Sequence, residues 1–358
     1  MHMKKRFRSY GFVTGILGTG RSNSISDVRG VEVGHFSKIR GKDIRTGVTI
    51  IDPGIRNIYK RKLPAAIAVG NGYGKLTGYT QVEELGTIET PIALTGSGSV
   101  FSVAQGVFEL IAKLSTRMQP FDSINAVVGE INDGRLNAIH KNPITSVEVL
   151  RAYKNCRTDF RLGNVGGGVG ARAFSWKGGI GTASRTFVVG RKKYTLGALV
   201  QTNFGGALTM LGVPIGKLLG KTDFDVLEKS RGGDGSCIIV LATDAPCTAR
   251  QLKRIARRAF VGLSRTGSVL NTTSGDYAIA FSTSRTGIEG AGEIGRCILD
   301  HDLTAFFVAA AETTEEAIYD ALFAAETMVG RDGNILHALP KGEVVSLLAR
   351  PVPRTQSL

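Results

Sequence analysis

Hydrophobic positions in the first part of the chain fall into short runs that are typical of strands. Residues 46–51 and 65–69 are apolar and bounded by turn-forming residues. From Val100 onward the spacing changes, because apolar residues recur at i, i+3, i+4 and i+7, which predicts an amphipathic helix. A strand is expected at residues 125–128, followed by a turn at residues 132–134. This part of the sequence therefore predicts strands with one helix among them.

The second half mixes both patterns without regular alternation. The continuous apolar run 236–242 is typical of a strand buried on both faces. The other predicted elements are strands at 186–189, 194–200, 277–281 and 305–309, a helix at 249–263, and a helix at 313–329 that begins at a Thr313 or Thr314 cap and ends before Gly330. This mixture favours a layered α/β or α+β sandwich over a doubly wound sheet.

Composition and charge narrow the class of protein. The 358 residues are 42% hydrophobic and 21% charged, which is ordinary for a globular protein, and 47 glycines predict many tight turns. The net charge of +15 is spread over short basic runs without a recognition motif, so we expect no nucleic-acid partner. The four cysteines form no C-x-x-C pair and the five histidines are isolated, so we expect no metal, no other cofactor and a reducing, cytoplasmic compartment.

Membrane and nucleotide motifs are weak. No apolar stretch approaches the ~18–20 residues that span a bilayer, so we expect no membrane association. The run 290–295 fits G-x-G-x-x-G, but it does not directly follow a strand, and a chance match is expected in a chain with 47 glycines. Neither a P-loop nor a G-x-S-x-G elbow is present.

A glycine-rich loop, 231–235, runs directly into the buried strand that begins with Ser236. If the bond between Gly235 and Ser236 is cut, the Ser236 hydroxyl becomes a nucleophile and its own α-amine, with an unperturbed pKa of ~7.7–8.0, becomes the general base. Glycine before the serine leaves room for the hydroxyl to attack the preceding carbonyl. From composition alone, an ordinary glycine turn before a strand is the more common explanation.

Several long motifs occur in one order along almost the whole chain. They are G-I-L-G-T-G-R-S-N-S-I-S-D-V-R-G-V-E-V-G-H (15–35), R-T-G-V-T (45–49), G-N-G-Y-G-K-L-T-G-Y-T-Q-V-E-E-L-G-T-I-E-T-P-I-A-L-T (70–95), G-N-V-G-G-G-V-G (163–170), K-G-G-I-G-T-A-S-R (177–185), L-V-Q-T-N-F-G (199–205), D-G-S-C-I-I-V-L-A-T-D-A-P (234–246), S-G-D-Y-A-I-A-F-S-T (274–283) and M-V-G-R-D-G (328–333). With these motifs the sequence resembles the L-aminopeptidase/D-esterase family, which includes the β-peptidyl aminopeptidases.

The resemblance implies a single domain, 1–358, made as a precursor that cuts itself between Gly235 and Ser236. The products would be an α chain, 1–235, and a β chain, 236–358. The implied fold is a four-layer α/β/β/α sandwich, similar to the N-terminal-nucleophile hydrolases but differently connected. The implied enzyme is a cytoplasmic homo-oligomer of αβ units that releases N-terminal residues from small peptides, amino-acid amides or esters.

The resemblance also assigns roles to individual residues. Ser236 matches the nucleophile, and Ser274 and Asp276 match the pair that contacts its amine or hydroxyl, although some members have Glu at the acidic position. A turn before the strand at 277 is the alternative explanation of Ser274-Gly275-Asp276. Asn203 matches the oxyanion donor.

Glu130 matches the acid that binds the substrate's ammonium. The family tyrosine that follows this acid is missing, since residues 130–137 read E-I-N-D-G-R-L-N. Asn132 could replace it as an oxyanion donor, and Arg135 could favour a substrate that bears a carboxylate.

Three functions remain open from the sequence. The first is an aminopeptidase or amidase, with D-amino-acid amides and β-peptides among its possible substrates. The second is an acyltransferase similar to the ornithine acetyltransferases, which use a threonine nucleophile, so Ser236 and Glu130 argue against it. The third is a non-catalytic relative, which the missing tyrosine would allow.

Overall fold

Two β-sheets lie at the centre of the molecule. The computed structural model describes residues 5–115, 122–223, 235–284 and 296–350. The first sheet has the strand order β1-β2-β6-β7-β4, in which β6 and β7 are parallel. Its strands are β1 (Glu32–Arg40), β2 (Ile44–Asp52), β4 (Leu76–Thr77), β6 (Ile92–Gly96) and β7 (Val127–Ile131).

The second sheet contains the strand that begins near Ser236. Its order is β10-β11-β12-β13-β3-β5, and its central pair β12 and β13 is parallel. Its strands are β3 (Leu63–Gly72), β5 (Thr87–Ile88), β10 (Ile180–Val189), β11 (Lys192–Asn203), β12 (Gly235–Thr243) and β13 (Ser274–Ser282). Two small hairpins pair β8 (Arg172–Ala173) with β9 (Trp176–Lys177) and β14 (Met328–Val329) with β15 (Ile335–Leu336).

Helices cover the outer faces of both sheets. Valines and alanines of α2 and α3 pack on the first sheet, and apolar residues of α5 and α6 pack on the second. The helices are α1 (Tyr79–Leu85), α2 (Val100–Leu114), α3 (Ser146–Lys154), α4 (Ile215–Leu218), α5 (Ala249–Arg265), α6 (Leu303–Ala324) and α7 (Lys341–Leu348).

The core is divided between the layers by strand alternation. Ile238 and Val240 of β12 enter the layer between the two sheets, whereas Cys237 and Ile239 face the helices. Both faces of β12 are therefore buried, as its continuous apolar sequence predicts. The four-layer α/β/β/α sandwich is confirmed.

The prediction for the C-terminal helix is wrong. Neither a strand at 305–309 nor a helix at 313–329 forms, because one helix, α6, runs over Leu303–Ala324. Thr313 is not a cap but lies inside α6, where its hydroxyl donates to the Ala309 carbonyl at 2.7 Å. Nearly all of the second half of α6 is buried, so its apolar residues are not confined to one stripe and the sequence lacks the helical period.

Other predicted elements differ mainly at their ends. The helix at 249–263 is confirmed as α5, whose side chains Leu252 and Ile255 are buried. The strand expected at 277–281 begins three residues earlier, so Ser274 and Asp276 lie in β13 and not in a preceding turn. The G-x-G-x-x-G run at 290–295 and loop residues 231–234 lie outside the described residues. Among those described, no helix combines the length and apolarity that crossing a membrane requires.

Candidate active site

Three neighbouring strands bring the predicted catalytic residues together at one end of the second sheet. Ser236 is in register with Asn203 of antiparallel β11 and with Gly275 of parallel β13. In the same ladder Gly235 is in register with Ser274, and Cys237 with Asp276. Residues that are 33 or 39 positions apart in sequence thus become direct neighbours.

Asn203 and Ser236 lie on the face of the sheet that is turned toward the first sheet. Leu199 and Ile238, which have the same strand parity, belong to the core between the sheets. Directly opposed antiparallel residues place their Cβ atoms about 4.5–5.5 Å apart. The Asn203 Oδ1 accepts a hydrogen bond from the Arg172 amide at 3.1 Å, and its –NH₂ group has no acceptor among the described residues. That amide nitrogen is therefore available as a donor beside Ser236.

The Gly235–Ser236 peptide is crowded on both sides. The Ser236 hydroxyl donates to the Gly235 carbonyl oxygen at 2.5 Å, so it already lies beside the bond that would be cut. A Cβ at position 235 would stand only 2.9 Å from Ser274 Oγ. A larger residue at this position would therefore force the Ser274 hydroxyl to move, whereas glycine leaves it in place.

Ser274 and Asp276 lie on the opposite face of the sheet from Ser236. Ala278 and Ala280, which share their parity, pack in the core on the helix side. The backbone nitrogen of Ser236, in contrast to its side chain, lies in the plane of the sheet between the two faces. The arrangement therefore favours contact of Ser274 and Asp276 with the Ser236 nitrogen over contact with its hydroxyl.

The acid on this face is buried. Burial raises the pKa of Asp276 to about 6, while the Ser274 hydroxyl and the Cys237 amide oppose the rise. Neither neighbour makes a well-formed hydrogen bond, since Ser274 Oγ and both Asp276 oxygens lack partners among the described residues. Buried polar atoms without partners are costly. These three atoms can therefore accept hydrogen bonds from a nearby donor such as an ammonium group.

Glu130 approaches the same end of the sheet from β7. It is 3% exposed, and its Oε1 accepts from the Lys75 amide and from the Lys75 ammonium, each at 3.1 Å. Its Oε2 is buried without a partner among the described residues. A Cβ at Gly74 would lie 3.5 Å from Glu130 Oε1 and 3.1 Å from the Gly275 Cα. The Glu130 carboxylate thus lies close to Gly275, the residue of β13 that is in register with Ser236.

Asn132 and Arg135 are the two other residues that the sequence predicts to bind the substrate. The Asn132 Oδ1 accepts from the Gly134 amide at 3.0 Å and so closes the turn after β7. Arg135 is exposed, and within the described ranges no hydrogen bond or ion pair connects it to Ser236 or Glu130. A substrate-binding role for either residue stays a prediction.

Three residues without a role in the sequence-based prediction also line this region. Lys75 pairs with Glu130, Gly74 gives the close approach to Gly275, and the Tyr277 hydroxyl donates to the Gly74 carbonyl at 2.9 Å. Burial raises the pKa of Tyr277, and the charges of Glu130 and Asp276 add to the rise. The motifs Y-G-K and S-G-D-Y contain these residues, but sequence alone does not show that they meet.

Known proteins resemble the chain over nearly its full length. Residues 23–336 match Peptidase family S58. The β-peptidyl aminopeptidase BapA of Sphingosinicella microcystinivorans is 37% identical over an alignment of 361 positions, which covers 92% of this chain and 89% of that protein.

Two solved structures agree with this assignment. A Pyrococcus horikoshii protein superimposes with a TM-score of 0.88 and 41% identity, covering 96% of this chain and 99% of the other. The L-aminopeptidase D-Ala-esterase/amidase of Ochrobactrum anthropi, described as a variant of the Ntn hydrolase fold, gives a TM-score of 0.87 and 33% identity over 96% and 98% of the two chains. The chain therefore belongs to peptidase family S58 and is a hydrolase of the aminopeptidase type.

Proposed function

We propose that the chain cuts itself between Gly235 and Ser236 and that the released Ser236 is the nucleophile of the aminopeptidase. The observation that carries this proposal is the register of three strands, which surrounds Ser236 with Asn203 on one side and with Ser274 and Asp276 on the other. An isolated glycine turn before a strand would require none of these neighbours.

Self-cleavage begins at the crowded peptide. The Ser236 hydroxyl attacks the Gly235 carbonyl carbon, its proton passes to the departing Ser236 nitrogen, and the peptide bond becomes an ester. Water then hydrolyses the ester, which leaves a carboxylate on Gly235 and a free amine on Ser236. The hydroxyl already contacts the oxygen of this carbonyl group, so the two reacting groups are held together before the attack on the carbon.

Substrate hydrolysis uses the amine that the cut produces. The Ser236 amine accepts the proton of the hydroxyl as Oγ attacks the substrate carbonyl, and the same proton then goes to the leaving amine. The –NH₂ of Asn203 donates to the developing oxyanion, and Ser274 and Asp276 stabilise the protonated Ser236 amine. Water releases the acyl group from Ser236.

The proposed substrates have a free N-terminal amine that binds Glu130. An ammonium that loses water in a closed site needs a fixed carboxylate, and Glu130 Oε2 is buried without a partner among the described residues. Together with the name of the Sphingosinicella relative, this supports peptides, amides and esters of N-terminal residues, with β-amino acids among them. Assembly of αβ units into a cytoplasmic homo-oligomer is proposed from the family resemblance alone.

The test compares an amino-acid p-nitroanilide with its N-acetyl analogue for wild type, Glu130→Gln and Ser236→Ala. Wild type should hydrolyse only the free amine, Glu130→Gln should lose most of that preference but still cut itself, and Ser236→Ala should stay uncut and inactive. Equal hydrolysis of both compounds by wild type would show that Glu130 is a structural acid. Transfer to an added amine in preference to water would instead support the acyltransferase.

A further inference from the structure

Glu130 is already paired with a cation inside the protein. The Lys75 ammonium donates to Glu130 Oε1 at 3.1 Å and to Ser97 Oγ at 2.9 Å. The Lys75 side chain is 46% exposed, whereas that of Glu130 is 3% exposed. The lysine ammonium is thus the solvent-accessible member of an ion pair whose carboxylate is buried beside the catalytic strands.

This pair changes the charge that a substrate meets. A lone carboxylate attracts a simple ammonium, but a carboxylate that is neutralised by Lys75 does so more weakly, because the bound substrate would add a second positive charge beside the first. A group that carries an ammonium and a carboxylate on one carbon has no such penalty. Its ammonium can donate to Glu130 while its carboxylate accepts from Lys75, so the site stays neutral.

We propose that the preferred substrates are β-aspartyl compounds, in which the scissile bond is formed by the side-chain carboxyl of an aspartate whose α-amine and α-carboxylate are free. This inference rests on the proposed function and specifies its substrate class. A β-aspartyl residue is a β-amino acyl group that bears a carboxylate on the amine-bearing carbon. It therefore keeps the separation of amine and carbonyl found in other β-amino acyl substrates and adds the group that matches Lys75.

The roles of Lys75 and Glu130 are complementary in this proposal. Glu130 Oε2 is buried, and within the described ranges it accepts no hydrogen bond, so it is the acceptor for the substrate ammonium. Lys75 holds Oε1 through its backbone amide as well as its side chain, so replacing the side chain keeps one of the two contacts that orient the carboxylate. Lys75 is thus proposed as the residue that distinguishes an acidic from a neutral β-residue.

The test uses two p-nitroanilides that differ only at this carbon. One is the β-aspartyl compound, and the other is the 3-aminobutyryl compound, in which a methyl group replaces the carboxylate. They are assayed with the processed wild type, Lys75→Met, Lys75→Arg and the control Lys60→Met. Lys60 has a similarly exposed side chain, 48%, and pairs with Asp122 at 3.6 Å.

Wild type should have a kcat/KM for the β-aspartyl compound about tenfold above that for the 3-aminobutyryl compound, as expected for one charge-assisted contact. Lys75→Met should lose this preference, because its KM should rise for the β-aspartyl compound and fall for the 3-aminobutyryl compound, whose ammonium no longer meets a neutralised carboxylate. Lys75→Arg should keep most of the preference, and Lys60→Met should resemble wild type. Equal preference in wild type and Lys75→Met would overturn the proposal. The 3-aminobutyryl compound and the Glu130→Gln variant test amine recognition separately. If wild type hydrolysed neither compound, the proposed function itself would be rejected.

Discussion

Replacement of Arg185 by Met tests how the two segments that self-cleavage would separate are held together. Arg185 on β10 is fully buried and pairs with Glu312 and Glu316 of α6, each at 2.7 Å. It also donates to the carbonyls of Ser184 at 2.8 Å and Thr14 at 2.7 Å. Arg185 lies in the proposed α chain and the two glutamates lie in the proposed β chain, so this cluster joins them.

The loss in the free energy of unfolding caused by Arg185→Met depends on the interactions that Glu312 and Glu316 keep after the change. Glu316 keeps a pair with Arg8, and Glu312 keeps the amides of Ile16 and Leu17, but neither glutamate keeps its fully buried cation. Removing one partner of a buried ion pair costs about 3–5 kcal/mol, because the other charge stays buried. We expect a loss of about 4 kcal/mol in the free energy of unfolding.

The assay is urea unfolding in the Ser236→Ala background, where the chain is expected to stay in one piece. Arg185→Met should lower the unfolding midpoint strongly, and the double variant with Glu316→Gln should lose less than the sum of the single changes. The control is Arg250→Met, which breaks an exposed pair with Asp300 and should leave the midpoint nearly unchanged. An equal small effect of Arg185→Met and Arg250→Met would refute the reasoning.

Three further predictions concern the site and its surroundings. Asn203→Ala should lower kcat about 10²–10³-fold with little change in KM, as measured by steady-state kinetics on a processed sample. Gly235→Ala should slow self-cleavage by about tenfold, because the new Cβ would lie 2.9 Å from Ser274 Oγ. Measurements of intact mass over time would show this, and Ser274→Ala should relieve the contact. Burial raises the pKa of Asp133 from 3.8 to about 6, so this group lowers the stability of wild type as the pH rises through that window. Asp133→Asn should therefore be more stable than wild type above about pH 6, by up to about 3 kcal/mol. The urea midpoints of the two proteins should converge below about pH 4.

Much of the layered fold could be predicted from local sequence patterns. The strand at Ser236 is a continuous apolar run because both its faces are buried, and α5 has a clear apolar stripe because one of its faces meets solvent. Helix α6 could not be found in the same way. It is enclosed by the sheet, α5 and the N-terminal segment, so even Glu312, Glu316 and Asp320 are buried, and the polar side that reveals a helix is absent.

The candidate site was predictable mainly through motifs. Their resemblance to a family identifies Ser236, Asn203, Ser274 and Asp276, and the register of β11, β12 and β13 then places these residues together. Sequence could not show that Ser274 and Asp276 lie on the other face of the sheet from the Ser236 hydroxyl. Nor could it show the pair between Lys75 and Glu130, which joins residues 55 positions apart through the antiparallel contact of β4 with β7.

The central claim is that the chain cuts itself before Ser236, and the most direct measurement is the intact mass of the purified protein together with N-terminal sequencing. The account predicts two chains, residues 1–235 and 236–358, with the smaller one beginning Ser-Cys-Ile-Ile. The Ser236→Ala variant should give a single uncut chain. An active wild type that remains one chain of 38.0 kDa would contradict the account.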